Sequence, residues 1–136
     1  MIDGKEYTNT VKDYFSFLID DFGFRIIEEK IRGNAFYEVQ YSDLTKVVSV
    51  SYENIQDYFQ VIVFMLQNGK LPDYDDKSKT LHLNNLNKLF RSKNRESDLG
   101  GNAYFEKFTI ENSFERKILK SAKELRACLY HFDTLF

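Results

Sequence analysis

The residues of this chain that could carry out chemistry are few: an Asp-rich run near the middle, two His and one Cys. Asp73, Asp75 and Asp76 are spaced like the carboxylates that surround calcium in a helix-loop-helix site. Such a loop also needs a glycine at its sharp turn, which is missing here, and a Glu at its twelfth position, where this chain has Asn84. We therefore predict an exposed acidic loop without a metal, which a partner could contact.

The two histidines and the cysteine are predicted to be structural. A general base needs a nucleophile or a substrate proton within reach, and the sequence places no such group beside His82 or His131. Cys128 falls on or beside the apolar face of a C-terminal helix, which indicates a packed thiol rather than a reactive thiolate. One Cys and two His also exclude an intrachain disulfide and are too few for a structural zinc site. We predict no cofactor and no enzymatic activity, although acid and base groups that meet only in the fold remain an alternative.

A third motif is the segment Arg32-Gly33-Asn34-Ala35-Phe36. It resembles the start of the RNP1 segment of RNA-recognition motifs, in which rings on a strand stack on bases. Asn34 and Val39 stand where stacking rings belong, and a helix rather than a strand comes first. The segment is therefore predicted to be a plain hairpin turn.

The elements that position these residues follow from hydrophobic periodicity. Apolar residues at helical spacing predict a first helix over residues 8–22, capped by Thr8 or Thr10 and ended by Gly23. Alternating β-branched and aromatic residues then predict strands joined by connections too short for crossover helices, which favours an antiparallel meander in the order 1-2-3-4. The four predicted strands cover residues 24–32, 35–42, 44–52 and 58–66.

The second half is predicted to be helical. Residues 67–80 contain the only Pro and read as a long exposed loop, after which Thr80 caps a short Leu-rich helix. Residues 91–102 turn polar and predict a mobile second loop. The last helix begins near Thr109 or Ser113, and both helices are expected to pack on the sheet.

Composition and charge narrow the function classes. With 136 residues, 43% of them hydrophobic and 29% charged, the chain is predicted to form a single α+β domain over residues 1–136. Residues 1–85 carry 9 Lys and Arg against 14 Asp and Glu, a net −5, and residues 86–136 carry 10 against 7, a net +3. An acidic sheet argues against nucleic-acid binding and is compatible with a basic partner. No apolar run reaches membrane-spanning length and no leader precedes the first helix, so we predict a cytoplasmic protein without membrane contact.

Two surfaces could meet a partner. The fourth strand should direct Phe59 and Val61 inward, leaving an outward row that either the chain's own helix or a partner covers. That row is Tyr58, Gln60, Ile62 and Phe64. The last helix carries a basic face, which is expected to be solvated unless an acidic partner binds it. That face is Arg116, Lys117, Lys120 and Lys123.

The order of elements resembles a group of small bacterial proteins, many of them suspected to be immunity proteins of polymorphic toxin systems. The segments that carry the resemblance cover most of the first 90 residues. They are FLIDDFGF (17–24), FYEVQYSD (36–43), VVSVSYENIQDYFQVIVF (47–64) and LPDYDDKSKTLHLNNL (71–86). The resemblance implies a protein that binds a cognate toxin domain and blocks it by occlusion, without catalysis.

From this hypothesis we predict an acidic surface that mimics phosphates toward a basic nuclease toxin, with Tyr58 and Tyr74 as ring anchors. A non-catalytic adaptor subunit of a larger bacterial assembly is the alternative, and a small enzyme is the third. The predicted partner-binding residues are Glu53, Asp57, Tyr58, Asp73, Tyr74, Asp75 and Asp76.

Overall fold

The computed structural model describes residues 2–93 and 103–135, and these form the predicted α+β fold with one strand more than expected. Residues 94–102 of the predicted second loop lie outside the described residues. The elements are α1 (Gly4–Tyr14), α2 (Phe17–Asp20), β1 (Arg25–Arg32), β2 (Phe36–Ser42), β3 (Lys46–Glu53), β4 (Tyr58–Met65), β5 (Thr80–His82), α3 (Leu83–Lys93), a 3₁₀ turn (Ala103–Phe105), α4 (Ser113–Tyr130) and α5 (Phe132–Leu135).

Packing divides the chain into two compact units, Met1–His82 and Leu83–Phe136. The first contains α1, α2 and the whole sheet, and the second contains the later helices. That residues 1–136 fold as one domain stays a prediction.

The sheet of the first unit is antiparallel, with the strand order β1-β2-β3-β4-β5. The predicted meander is therefore confirmed for the first four strands. The fifth strand was missed because Thr80 is not a helix cap: it pairs with Phe64 of β4, and His82 pairs with Ile62, before α3 begins at Leu83. Three residues are too few for a periodic signal.

One face of the sheet packs against α1. The Tyr7 ring lies 5.6 Å from the ring of Tyr37 and 5.9 Å from that of Tyr52, so the interior at this end is aromatic, as the Phe and Tyr content indicates. The helix begins earlier than predicted because the Asp3 carboxylate accepts hydrogen bonds from the backbone N–H groups of Lys5 and Glu6.

The predicted single first helix is wrong at its middle. It divides into α1 and α2 at Phe15 and Ser16, and the Ser16 hydroxyl donates to the Asp13 carbonyl at 2.8 Å. Gly23 follows α2 with φ 72°, a left-handed conformation that favours glycine and turns the chain into β1. At the next turn the Ala35 N–H donates to the Arg32 carbonyl at 3.0 Å, so the predicted hairpin over residues 32–36 is confirmed.

In the second unit, α3 packs against α4. The Asn112 side chain caps α4 by accepting from the Glu115 N–H at 2.8 Å, so of the two predicted starts, Thr109 and Ser113, the helix begins at Ser113. The Asn87 amide donates to the Glu124 carboxylate at 2.6 Å, and Cys128 is buried, as predicted. Among the described residues, no helix has both the length and the apolar character that crossing a bilayer requires.

Candidate partner-binding surface

The seven predicted partner-binding residues fall into two groups along β4. The turn group comprises Glu53, Asp57 and Tyr58 at the β3–β4 turn, to which the structure adds Ile55. The loop group comprises Asp73, Tyr74, Asp75 and Asp76, which precede β5. Thr80 donates to the Asp73 carbonyl and pairs with Phe64, six residues along β4 from Tyr58. At about 3.3 Å per residue, the two groups are on the order of 20 Å apart.

The turn group presents apolar side chains between carboxylates. Glu53 and Tyr58 are directly opposite in the register, so their side chains share one face of the sheet. Ile55, at the tip, is 79% exposed and Tyr58 is 51% exposed. Turns are usually formed by glycine, proline and small polar residues, so an exposed isoleucine and an exposed tyrosine are unusual in this one. Together they form an apolar surface that a partner protein can contact.

Asp57 holds the turn in shape. Its φ of 50° is left-handed, a conformation that Asp tolerates better than most residues, and its carboxylate accepts a hydrogen bond from the Tyr52 hydroxyl at 2.5 Å. Burial raises the pKa of Tyr52 to about 12, and the hydrogen bond to Asp57 and the charge of its carboxylate act in the same direction. The Asp57 carboxylate therefore stabilises the turn, and by doing so it fixes the backbone next to Tyr58.

Asn54 ties the same turn to its surroundings. Its N–H donates to the Ala35 carbonyl at 2.9 Å, and its side-chain amide nitrogen lies 2.6 Å from the Asn34 carbonyl and 2.8 Å from the Tyr37 hydroxyl. The two hairpin turns at this end of the sheet are thus joined by one side chain. A loop fixed in this way loses little conformational entropy when a partner binds.

A third ring lies beside the turn group. Phe36 is opposite Glu53 in the register and opposite Arg32 on its other side, and the Arg32 guanidinium carbon lies 5.7 Å from the centre of the Phe36 ring. Rings of Phe36 and Tyr58 therefore flank Glu53 on one face. The sequence contained this signal, because the alternation of β2 directs Phe36 and Glu38 to the same side.

In the loop group, Asp76 serves the loop itself. Its carboxylate accepts from the Ser78 hydroxyl at 2.6 Å and from the Ser78 N–H at 3.1 Å, and these bonds, with nearby Lys79, lower the pKa of Asp76. Asp73 and Asp75 are exposed, and Tyr74 is exposed although its ring is perpendicular to the His82 ring, with the two ring centres 6.2 Å apart. The loop group therefore offers two carboxylates and one ring.

The outward row of β4 is not one continuous surface. Ile62 is only 3% exposed, whereas Tyr58 at the end of the row is half exposed, and Gln60 and Phe64 are intermediate. On the same face, Ser49 of β3 is buried and its hydroxyl donates to the Glu38 carboxylate at 2.5 Å. Only the Tyr58 end of the row is therefore open to a partner.

The other candidate residues have the following surroundings. The His131 ring lies 5.4 Å from that of Phe90, and burial raises the pKa of Cys128 to about 12, with nearby Glu124 acting in the same direction. Among the described residues, no group of three or more His, Cys, Asp or Glu could hold a metal ion. On α4, Arg116, Lys117 and Lys120 are exposed and Lys123 is intermediate.

The first unit also has a shallow depression of about 490 Å³ at the β2–β3 turn. Its charged lining residues are Arg25 and Asp43, and the Asp43 carboxylate accepts from the N–H groups of Thr45 and Lys46 at 2.7 Å each. Asp43 thus stabilises the turn, and the depression does not bring together an acid and a base that are free to react.

Comparison with known proteins adds no relative. No protein-family model matches this chain, and no curated protein and no solved structure is significantly similar to it.

Proposed function

We propose that this protein is an immunity-type binding protein that neutralises a cognate bacterial toxin domain by occluding it, without catalysis. The observation that carries the proposal is the turn group: Ile55 and Tyr58 are exposed on a turn whose backbone is fixed by Asn54 and Asp57. Aromatic and aliphatic side chains held rigidly at a protruding point are typical anchors of protein interfaces.

The charges of the first unit indicate the chemistry of the partner. Residues 1–82 carry 9 Lys and Arg against 14 Asp and Glu, a net −5, and Glu53 lies directly beside Tyr58. A partner that fits this surface has an apolar pocket surrounded by Lys and Arg, as the substrate groove of a basic nuclease does. The anchors would fill the pocket and the carboxylates would take the positions of phosphates.

The test is co-expression with the product of the neighbouring gene, followed by purification of the complex and measurement of its affinity. Tyr58→Ala is expected to cost about 2 kcal/mol, a loss of roughly thirtyfold in affinity, and Ile55→Ala a smaller amount. Leu44→Ala is the matched control, because Leu44 is an apolar residue in another hairpin turn and is 95% exposed.

If the neighbouring product is toxic and this protein neither rescues growth nor forms a complex with it, the proposal is wrong. A stable complex with a non-toxic protein would instead favour the adaptor function. If Tyr58→Ala and Ile55→Ala bind the partner as tightly as the wild-type protein and Leu44→Ala do, the turn group is not part of the interface.

A further inference from the structure

β1 is the edge strand of the sheet, and within the described part of the first unit no strand pairs with its outer side. Ile27 is 46% exposed and Ile31 is 52% exposed. An open strand edge with apolar side chains is a template for pairing with another chain, and the bulge and the charged residues of β1 limit the length and the register of such pairing. The question is which strand fits this edge.

We propose that β1 pairs with β1 of a second copy of this chain, antiparallel across a two-fold axis at Glu29, so that the two five-stranded sheets become continuous. The evidence is the self-complementarity of the segment Ile27-Glu28-Glu29-Lys30-Ile31. With the axis at Glu29, Ile27 of each copy is opposite Ile31 of the other, and Glu28 is opposite Lys30.

Geometry restricts the axis to a few positions. Opposite residues in an antiparallel pair must lie on the same face, so the axis passes through a residue and not between two residues. An axis at Glu28 would place Ile27 opposite the carboxylate of Glu29, and an axis at Lys30 would place Ile31 opposite that same carboxylate and bring two lysines together. Only the axis at Glu29 pairs both isoleucines with each other.

The charges at the axis are compensated within each copy. Two Glu29 side chains would meet there, and Glu29 already forms an ion pair with Lys12 of α1, with its Oε1 3.1 Å from the Lys12 Nζ. Each copy therefore brings its own cation to the axis, which removes most of the repulsion between the carboxylates.

The bulge of β1 sets the length of the pairing. The register of β1 with β2 shifts between Ile26 and Glu28, and such a bulge bends a strand and ends regular pairing. Ile27 is itself the bulge residue and has no partner in β2, so regular pairing covers residues 28–30, and Ile27 of one copy meets Ile31 of the other where this pairing ends. So short a segment buries well under the 1,200 Å² or so of a standard interface. We therefore expect a weak dimer that forms in the micromolar range or above.

Sedimentation equilibrium of the protein alone, over a concentration series, tests this inference. Ile27→Glu and Ile31→Lys should each weaken self-association by about tenfold. The dimer contains two pairs of residues 27 and 31, and each substitution places a charged side chain opposite an isoleucine in both pairs. In an equimolar mixture the two variants should associate again, since the carboxylate introduced in one copy is then opposite the ammonium group introduced in the other, while the second pair remains isoleucine on isoleucine. Leu44→Lys, which changes another exposed apolar residue, should leave the dimer unchanged.

Circular dichroism and thermal unfolding of each variant establish that it is folded. A wild-type protein that stays monomeric up to millimolar concentration overturns the proposal. A dimer that ignores both isoleucine substitutions, or a mixture that does not recover, overturns it as well. No toxin is present in this experiment, so its outcome is independent of the proposed function.

Discussion

At the scale of single residues, Tyr52 and Tyr41 are buried on the same face of the sheet but differ in the hydrogen bonding of their hydroxyl groups. The Tyr52 hydroxyl donates to Asp57 at 2.5 Å, whereas the Tyr41 hydroxyl is buried and has no hydrogen-bond partner in the part of the chain that the structure describes. A buried hydroxyl without a partner costs free energy that a partnered one does not. The same substitution should therefore have different effects at the two positions.

We expect Tyr52→Phe to lower the free energy of unfolding by about 1.5 kcal/mol or more, because it removes a hydrogen bond to a carboxylate. Tyr41→Phe should be neutral or stabilising by up to about 1 kcal/mol, since it removes a desolvated polar atom without changing the packing. Urea unfolding of the two variants measures both values, and each serves as the control for the other. Equal losses at both positions would contradict the prediction.

The pH dependence of stability provides a second prediction for Tyr52. Its folded-state pKa is about 12, above the ordinary value of about 10, so the folded protein favours the neutral hydroxyl. Its contribution to stability is complete below pH 10 and is lost as the pH rises from about 10 to 12. The midpoint of unfolding should fall between pH 10 and pH 12, and it should fall less steeply in Tyr52→Phe.

Tyr52→Phe should still lose part of its stability at high pH, because burial also raises the pKa values of Tyr7 and Tyr41. A midpoint that does not change with pH in the wild-type protein would contradict the assignment of a raised pKa to these residues.

At the scale of elements, the close approach of α1 to the sheet depends on Gly4. A Cβ atom at this position would lie 2.7 Å from the Ile31 Cγ2 and 2.8 Å from the Tyr37 Cε1, both below van der Waals contact. In an exposed helix, Gly→Ala usually stabilises by about 1 kcal/mol. Here we expect Gly4→Ala to destabilise by roughly 1–3 kcal/mol, because the buried Tyr37 ring cannot move aside.

Asn9→Ala on the same helix is the control, since Asn9 is exposed and the change only improves helix propensity. Thermal unfolding should show a lower midpoint for Gly4→Ala and an equal or higher one for Asn9→Ala. A stabilised Gly4→Ala variant would mean that α1 does not lie so close to β1 and β2.

The elements themselves were largely predictable, because strand alternation and helical spacing are local properties of the sequence. Four strands and the start of α4 followed from them. The division of the first helix at Phe15 and Ser16 did not, since the residues on both sides are apolar and buried and the spacing alone is compatible with a continuous helix. β5 was missed because a three-residue strand is defined by its partner β4 and not by its own pattern.

The candidate surface was predicted only in part. The pattern of turns located Asp57 and Tyr58, but the exposure of Ile55 depends on how the turn projects from the sheet. Asp76 could have been assigned to the loop from the sequence, because an Asp two residues before a Ser is a common side-chain-to-backbone turn. Charge alone did not distinguish a carboxylate that stabilises a loop from one that is available to a partner.

At the scale of the whole molecule, the charges are unevenly distributed along the chain: residues 1–82 have a net charge of −5 and residues 83–136 a net charge of +3. For a partner that binds the acidic unit through basic residues, attraction over distances up to the Debye length accelerates encounter. The exposed carboxylates of Asp73 and Asp75 would contribute to this attraction even if they made no contact in the complex.

We therefore expect the association rate constant with a basic partner to fall steeply as the salt concentration rises, while the dissociation rate constant changes little. The double variant Asp73→Lys and Asp75→Lys should have a weaker salt dependence of association, because it removes long-range attraction. Ile55→Ala should have the unchanged salt dependence and a faster dissociation, since it removes only a contact. Stopped-flow measurements over a salt series separate the two effects. If the loop variant instead accelerates dissociation as strongly as Ile55→Ala, the loop group is part of the bound surface, and one partner then covers both ends of β4.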